Sequence, residues 1–130
     1  MPEFNDSTAT TAPPEEVWKV LYDPSRIPDW WHGIATAEPE AGRVTIYADG
    51  YPDFPMPQLM TSSPDDRTVR FSCQLSDMDI EWRLTPRDDG GTDISVDVKI
   101  PEKEAHRLDD QRAEVGASIR NLAEVASEAQ

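Results

Sequence analysis

Apolar and polar residues alternate with a period of two through much of the chain. The alternation covers residues 44–46, 69–75, 78–84 and 94–100. Because successive residues of a strand face opposite sides, the pattern predicts antiparallel strands with one buried face and one wet face. Turn signals such as Asp49-Gly50 separate the runs at short intervals. The strands are therefore expected to form a meander of hairpins.

Two short helices and a weak strand are predicted before this meander. In APPEEVW, Pro13 or Pro14 fits the first turn of a helix, where a missing N–H costs nothing, and the two glutamates complement the helix dipole. Its apolar face consists of Val17, Trp18, Val20 and Leu21. A second helix is expected over residues 25–31. Residues 4–11 predict an unusually polar edge strand, since threonine suits strands and few side chains there require burial.

A long helix is predicted over residues 102–128. Apolar residues recur there in steps of three and four, as a stripe of Ala105, Leu108, Val115, Ile119, Leu122 and Ala126. Arg112 interrupts the stripe, at about 340° on a helical wheel counted from Ala105. Its guanidinium stays charged, so burial would require an acidic partner or a ligand oxygen. The alternative is that Arg112 lies at the edge of the stripe and reaches water. Gly116 is expected to leave room beside this helix.

The charge of the chain limits its partners. With 12 basic and 26 acidic residues among 130, the formal net charge is −14. Such a surface repels phosphates and anionic headgroups, so general nucleic-acid binding and peripheral membrane binding are disfavoured. No apolar run is long enough to span a bilayer, and no signal peptide is visible. We expect a cytoplasmic protein with one domain over residues 1–130.

The sequence offers little support for metal or cofactor chemistry. A single cysteine, Cys73, excludes an internal disulfide, and its apolar neighbours predict a buried, inert thiol. No acidic group has calcium-loop spacing, and no glycine-rich phosphate loop is present. We predict no metal, no cofactor and no assignable catalytic residue. His32, at the end of the second helix, is expected to interact with the last helical carbonyls.

Aromatic residues in two places suggest a cavity. Neighbours on a helix point about 100° apart, so one of Trp30 and Trp31 is predicted in the core and the other, Trp31, at the rim of a pocket. The proline-rich loop over residues 49–58 exposes Tyr51, Phe54 and Met56 where a loop is usually polar. A lid over a cavity mouth would explain such a loop.

The stretch APPEEVWKVLYDPSRIPDWWHG and the late hairpin DGGTDISVDV resemble the START-like, or SRPBCC, superfamily, and within it the polyketide cyclase/dehydrase-type branch. The order of predicted elements extends the resemblance over nearly the whole chain. It implies an α+β helix-grip fold, in which a seven-stranded curved antiparallel sheet and two short helices after strand 1 accompany a long C-terminal helix over the sheet. The space between sheet and helix in this group is often a cavity for an apolar small molecule.

Pattern and resemblance together predict binding of a hydrophobic small molecule, lipid-like or polyketide-like, by a monomer or homodimer. The predicted ligand-binding residues are Trp31, Phe54, Met56, Phe71, Trp82, Leu108, Arg112 and Ile119. One alternative is a polyketide cyclase or aromatase, in which Arg112 would stabilise an enolate and His32 or Tyr47 would move protons. Another is a protein-interaction module of the chaperone-activator type.

Overall fold

The computed structural model describes residues 2–128, which form one seven-stranded antiparallel sheet and three α-helices. The strands are β1 (Glu3–Thr10), β2 (Ile34–Glu40), β3 (Arg43–Ala48), β4 (Met56–Ser63), β5 (Thr68–Cys73), β6 (Asp79–Pro86) and β7 (Thr92–Lys99). The helices are α1 (Pro14–Leu21), α2 (Ile27–Trp30) and α3 (Leu108–Glu128). Short 3-10 helices, Pro24–Arg26 and Glu102–Arg107, lead into α2 and α3.

The sheet has the order β1-β7-β6-β5-β4-β3-β2, and each neighbouring pair is antiparallel. Strands β2 to β7 thus form the predicted meander. The first strand closes the other edge by pairing with the last, with Glu3 opposite Lys99 and Thr10 opposite Thr92. Helix α3 packs against the inner face of the sheet, where it contacts β1 and β7. This architecture confirms the predicted helix-grip fold.

The hydrophobic core lies between the inner face of the sheet and the helices. Completely buried strand residues are Val69, Phe71, Trp82, Ile94, Val96 and Val98. Helices α1 and α3 cover them with Val17, Val20, Leu21, Val115, Ile119 and Leu122. Pro14 occupies the first turn of α1, as the sequence predicts, because its fixed φ suits that position and its missing N–H has no helical partner there.

Several predicted boundaries are wrong in detail. Residues 25–31 divide into a 3-10 turn and the four-residue helix α2, and the start of the final helix is 3-10 up to Arg107. Over so few residues, periods of 3.0 and 3.6 place apolar side chains almost alike. Met56 begins β4 and is not part of the preceding loop. Leu75 lies beyond the end of β5, in a turn, and is 51% exposed.

The buried face of α3 also differs from the predicted stripe. Gln111 is buried, whereas Arg112 is exposed and places its guanidinium carbon 5.7 Å from the ring centre of Phe4. Phe4 belongs to the edge strand β1, so solvent begins just beyond it. A helical wheel gives the direction of a side chain but not the place where the sheet ends. Gly116 leaves no open space, because a Cβ there would lie 3.3 Å from Oδ2 of Asp6.

Candidate functional site

A cavity of about 270 Å³ lies between the sheet and the N-terminal half of α3. Its apolar wall is formed by Trp31, Ile34, Ile46, Met56, Met78 and Ile80. Phe54 and Leu75 also line it, and they are 58% and 51% exposed, so they stand at its mouth. Each comes from a connection between two strands, since Phe54 precedes β4 and Leu75 follows β5. The cavity therefore opens at the end of the sheet where these two connections meet the 3-10 helix before α3.

Trp31 reaches the cavity because α2 ends at Trp30. The backbone of Trp31 is extended, with φ −76° and ψ 107°, so its side chain leaves the helical direction. Its ring then stacks on Trp30 with 5.7 Å between centroids and 21° between planes. Both tryptophans are buried, at 1% and 8% exposure, so Trp30 lies in the core as one of the pair was expected to, whereas Trp31 lines the cavity from a buried position and not from an exposed rim. The break in the helix at this point allows two neighbours to face the same way.

Helix α3 forms two hydrogen bonds to residues 30–32, which we call the tryptophan segment. The side-chain amide of Asn121 donates to the carbonyl of Trp30 at 3.2 Å, and the backbone N–H of His32 donates to the hydroxyl of Ser118 at 2.9 Å. Ser118 in turn donates to the carbonyl of Glu114 at 2.7 Å. His32 itself is exposed, and its backbone rather than its ring fixes this turn.

The opposite wall of the cavity is polar. It consists of Glu104 and Arg107 from the 3-10 helix and Gln111 and Glu114 from α3. The spacing of three, four and three residues brings these side chains to one face of the continuous helical segment. Arg107 is the one basic residue lining this cavity in the described part of the chain, and its Nη1 lies 3.9 Å from the Glu104 carboxylate.

Glu114 is an acid on this wall whose charged form is disfavoured by its surroundings. Its Oε2 accepts a hydrogen bond of 3.3 Å from the Gln111 amide. Removal of the carboxyl from water by the surrounding protein raises its pKa, and nearby Asp110 adds to this effect. Arg107 and His32 act in the other direction but do not cancel the rise in the pKa. The charged form of Glu114 is thus incompletely compensated, although the residue as a whole stays exposed to solvent.

A small polar group lies on the strand side of the cavity. Gln58 and Cys73 are opposite each other on β4 and β5, and Ser76 follows in the next turn. Burial raises the pKa of the Cys73 thiol, but hydrogen bonds from Ser76, from the Leu75 backbone and from the Gln58 side chain outweigh this, so the pKa is lowered. The thiol faces the cavity and is half-buried, so the expectation of a buried Cys73 is corrected in its degree of burial.

The eight residues predicted to bind a ligand do not all meet at this cavity. Trp31, Phe54 and Met56 line it. Phe71, Trp82 and Ile119 are buried in the core, since the middle of the inner sheet face is filled by packed side chains. Leu108 is half-buried against the core, and Arg112 lies over Phe4 at the sheet edge. For the first three residues, contact with a ligand stays a prediction.

The residues considered for catalysis lie outside the cavity as well. The Tyr47 hydroxyl donates to Glu38 at 3.5 Å, and neither it, His32 nor Arg112 is among the lining residues. Sequence reasoning missed Gln58, Ser76 and the four polar residues of the opposite wall. The signal that could have found the wall is the 104-107-111-114 spacing, which repeats the alternating steps of the apolar stripe with polar residues.

Other features of the described residues give less support for a binding site than this cavity does. A groove of about 370 Å³ on the outer face of the sheet is lined largely by charged side chains, among them the ion pair of Arg70 and Asp79 at 2.6 Å. Within residues 2–128, no three His, Cys, Asp or Glu side chains are grouped so as to hold a metal ion. No helix in that range is both long and apolar enough to cross a membrane.

The fold and the cavity define a helix-grip protein with a space enclosed between its sheet and its last helix. A family described as polyketide cyclase / dehydrase and lipid transport matches residues 1–127, and the chain belongs to this family, as its resemblance predicts. No curated protein matches the sequence.

Solved structures of low sequence identity share the fold. A protein from Chromobacterium violaceum is 16% identical, with a TM-score of 0.78 and coverage of 98% of this chain and 99% of that one. The ZhuI aromatase/cyclase from Streptomyces sp. R1128 is 16% identical, with a TM-score of 0.76 and coverage of 96% and 93%. BexL, a di-domain aromatase/cyclase of the BE-7585A biosynthetic pathway, is 15% identical with a TM-score of 0.75, and the match spans 94% of this chain and 46% of that one.

Proposed function

We propose that this protein binds a small, mainly apolar molecule in the cavity between its sheet and α3. The observation that supports this proposal is the cavity of about 270 Å³, with one continuous apolar wall and the exposed side chains of Phe54 and Leu75 at its mouth. Ligand pockets are concave and mostly apolar, with a few polar groups that orient the ligand. The polar wall of Arg107, Gln111 and Glu114 fits that description.

The size of the cavity limits the ligand. Pockets for drug-sized molecules occupy about 300–1,000 Å³, so this cavity, at about 270 Å³, is slightly smaller than that range. A molecule of one or two rings fits this volume better than a long-chain lipid does. The family description, which includes lipid transport and cyclases, supports a hydrophobic ligand without specifying one. We further propose that the protein acts in the cytoplasm, as a monomer or homodimer.

Binding of 2-naphthalenemethanol, a neutral two-ring alcohol, tests this proposal by isothermal titration calorimetry. We expect one site per chain, and we expect Cys73→Phe to weaken binding about tenfold or more because the added ring fills the cavity. Leu59→Phe is the matched control, since Leu59 lies on the neighbouring strand with its side chain 40% exposed on the outer face. Equal affinity in both variants would place the bound probe elsewhere and contradict the proposal. Native mass spectrometry of protein from its own host would identify the natural ligand.

A further inference from the structure

The charges that line the cavity are not balanced. Arg107 and Glu104 lie 3.9 Å apart, so their charges largely offset each other. Glu114 has no Lys, Arg or His nitrogen within 4.0 Å among residues 2–128, and its hydrogen bond in that range comes from the neutral Gln111 amide. One carboxylate therefore faces the cavity without a basic partner.

We propose that the ligand is a hydrophobic amine of one or two rings, whose ammonium group pairs with Glu114 while its rings contact Trp31 and Met56. This inference rests on the proposed function, because it names the chemical class of the molecule bound in the same cavity. The two parts of such a ligand correspond to the two walls: rings against the sheet side, and a cation against the α3 side.

Three further observations favour a cation over an anion. The formal charge of −14 attracts cations to the protein from a distance. Trp31 and Phe54 present aromatic rings to the cavity, and a ring face attracts a cation within about 6 Å. Partial removal of the Glu114 carboxyl from water raises its pKa, and an ammonium group beside it would stabilise the charged form.

Binding of such a ligand is expected to weaken as the pH falls through the raised pKa of Glu114, because the carboxyl then gains a proton and loses its attraction for the amine. His32 faces Glu114 from the turn after α2. The other charged neighbours of Glu114 are Arg107 and Asp110.

Three probes with the same ring system separate this inference from the proposed function. They are 2-naphthylmethylamine, 2-naphthalenemethanol and 2-naphthoate, which are cationic, neutral and anionic at pH 7. We expect the amine to bind about tenfold more tightly than the alcohol, a difference of about 1.4 kcal/mol, because a charge-assisted hydrogen bond is stronger than a neutral one. Glu114→Gln should abolish this preference while it preserves binding of the alcohol. Glu124→Gln, on an exposed position of the same helix, should leave the preference intact.

Each other outcome overturns the inference in a distinct way. An amine that binds no better than the alcohol, or a preference that survives in Glu114→Gln, refutes the pairing with Glu114 and leaves the cavity as a neutral apolar site. Tightest binding by 2-naphthoate would assign the polar wall to recognition of acids by Arg107. If no probe binds to the wild-type chain, the proposed function fails together with this inference. Circular dichroism of both variants shows that they are folded.

Discussion

Phe71 supports the floor of the cavity from within the core. It is completely buried, and its ring meets that of Trp31 edge to face, with 5.1 Å between centroids. Trp30 in turn makes an edge contact with Trp82 at 5.0 Å. These aromatic contacts join the tryptophan segment to β5 and β6, so the position of the cavity wall depends on side chains that do not line the cavity.

Truncation of Phe71 tests this support. We expect Phe71→Ala to lower the free energy of unfolding by about 3–5 kcal/mol, because the ring is removed from water completely and its loss leaves a void. Leu59→Ala, at an exposed position, should change it by less than about 0.5 kcal/mol. Urea unfolding followed by circular dichroism measures both values. Similar values for the two variants would mean that Phe71 is not part of a tightly packed core.

Some residues of the candidate site can be predicted from the sequence, and others cannot. Trp31 and Phe54 could be predicted because large aromatics beside prolines stand out in a polar segment. Arg112 was the more conspicuous arginine, since it interrupts an apolar stripe, yet Arg107 is the one that faces the cavity. The difference depends on where the edge strand β1 ends beneath the helix, and this position is a property of the whole sheet.

Helix α3 acts as a clamp on the tryptophan segment. Ser118 is completely buried, and its hydroxyl joins the backbone of His32 to the carbonyl of Glu114. The same serine therefore fixes the turn that carries Trp31 and the helical turn that carries Glu114. This contact between elements therefore links the two walls of the cavity.

Removal of the Ser118 hydroxyl should destabilise the protein. We expect Ser118→Ala to cost about 1–3 kcal/mol of unfolding free energy, because the His32 N–H loses its acceptor in a partly buried place. Ser127 is a matched control: its hydroxyl also donates to a preceding helical carbonyl, that of Glu124, but within residues 2–128 it accepts from no other element. Chemical denaturation of Ser127→Ala should show a change within about 0.5 kcal/mol. Equal losses would contradict the clamp.

At the level of elements, the sequence predicts strands better than short helices. The alternation over β5 to β7 is long, and only a period of two explains it, so the meander follows directly. The segments before α2 and α3 are too short for periodicity to separate 3-10 from α geometry. Pairing of β1 with β7 is non-local, so periodicity does not predict it, and the family resemblance implied only a seven-stranded sheet.

The whole molecule carries a large excess of negative charge. Its ion pairs, such as that of Lys103 with Asp77 at 2.8 Å, are at the surface, and each contributes little to stability. A formal charge of −14 on 130 residues therefore produces mutual repulsion that the folded state has to withstand.

Screening of this repulsion should stabilise the fold. Between about 0.01 M and 0.15 M salt the Debye length falls from about 30 Å to about 8 Å, which is shorter than most distances across the domain. We expect the midpoint of thermal unfolding to rise by several degrees over this range, measured by circular dichroism. Choline chloride should act like sodium chloride if screening is the cause. A lower midpoint at the higher salt concentration would show that the surface ion pairs outweigh the repulsion.

The pairing of β1 with β7 has a consequence for synthesis. Of the seven strands of the sheet, β1 is synthesised before the others and its partner β7 after them, so the backbone groups of β1 stay unpaired until Lys99 has emerged. An apolar strand that stays unpaired in a nascent chain is prone to aggregation. The polar residues of β1, with Asp6 and Thr8 turned toward the interior, lower the tendency of the unpaired strand to aggregate.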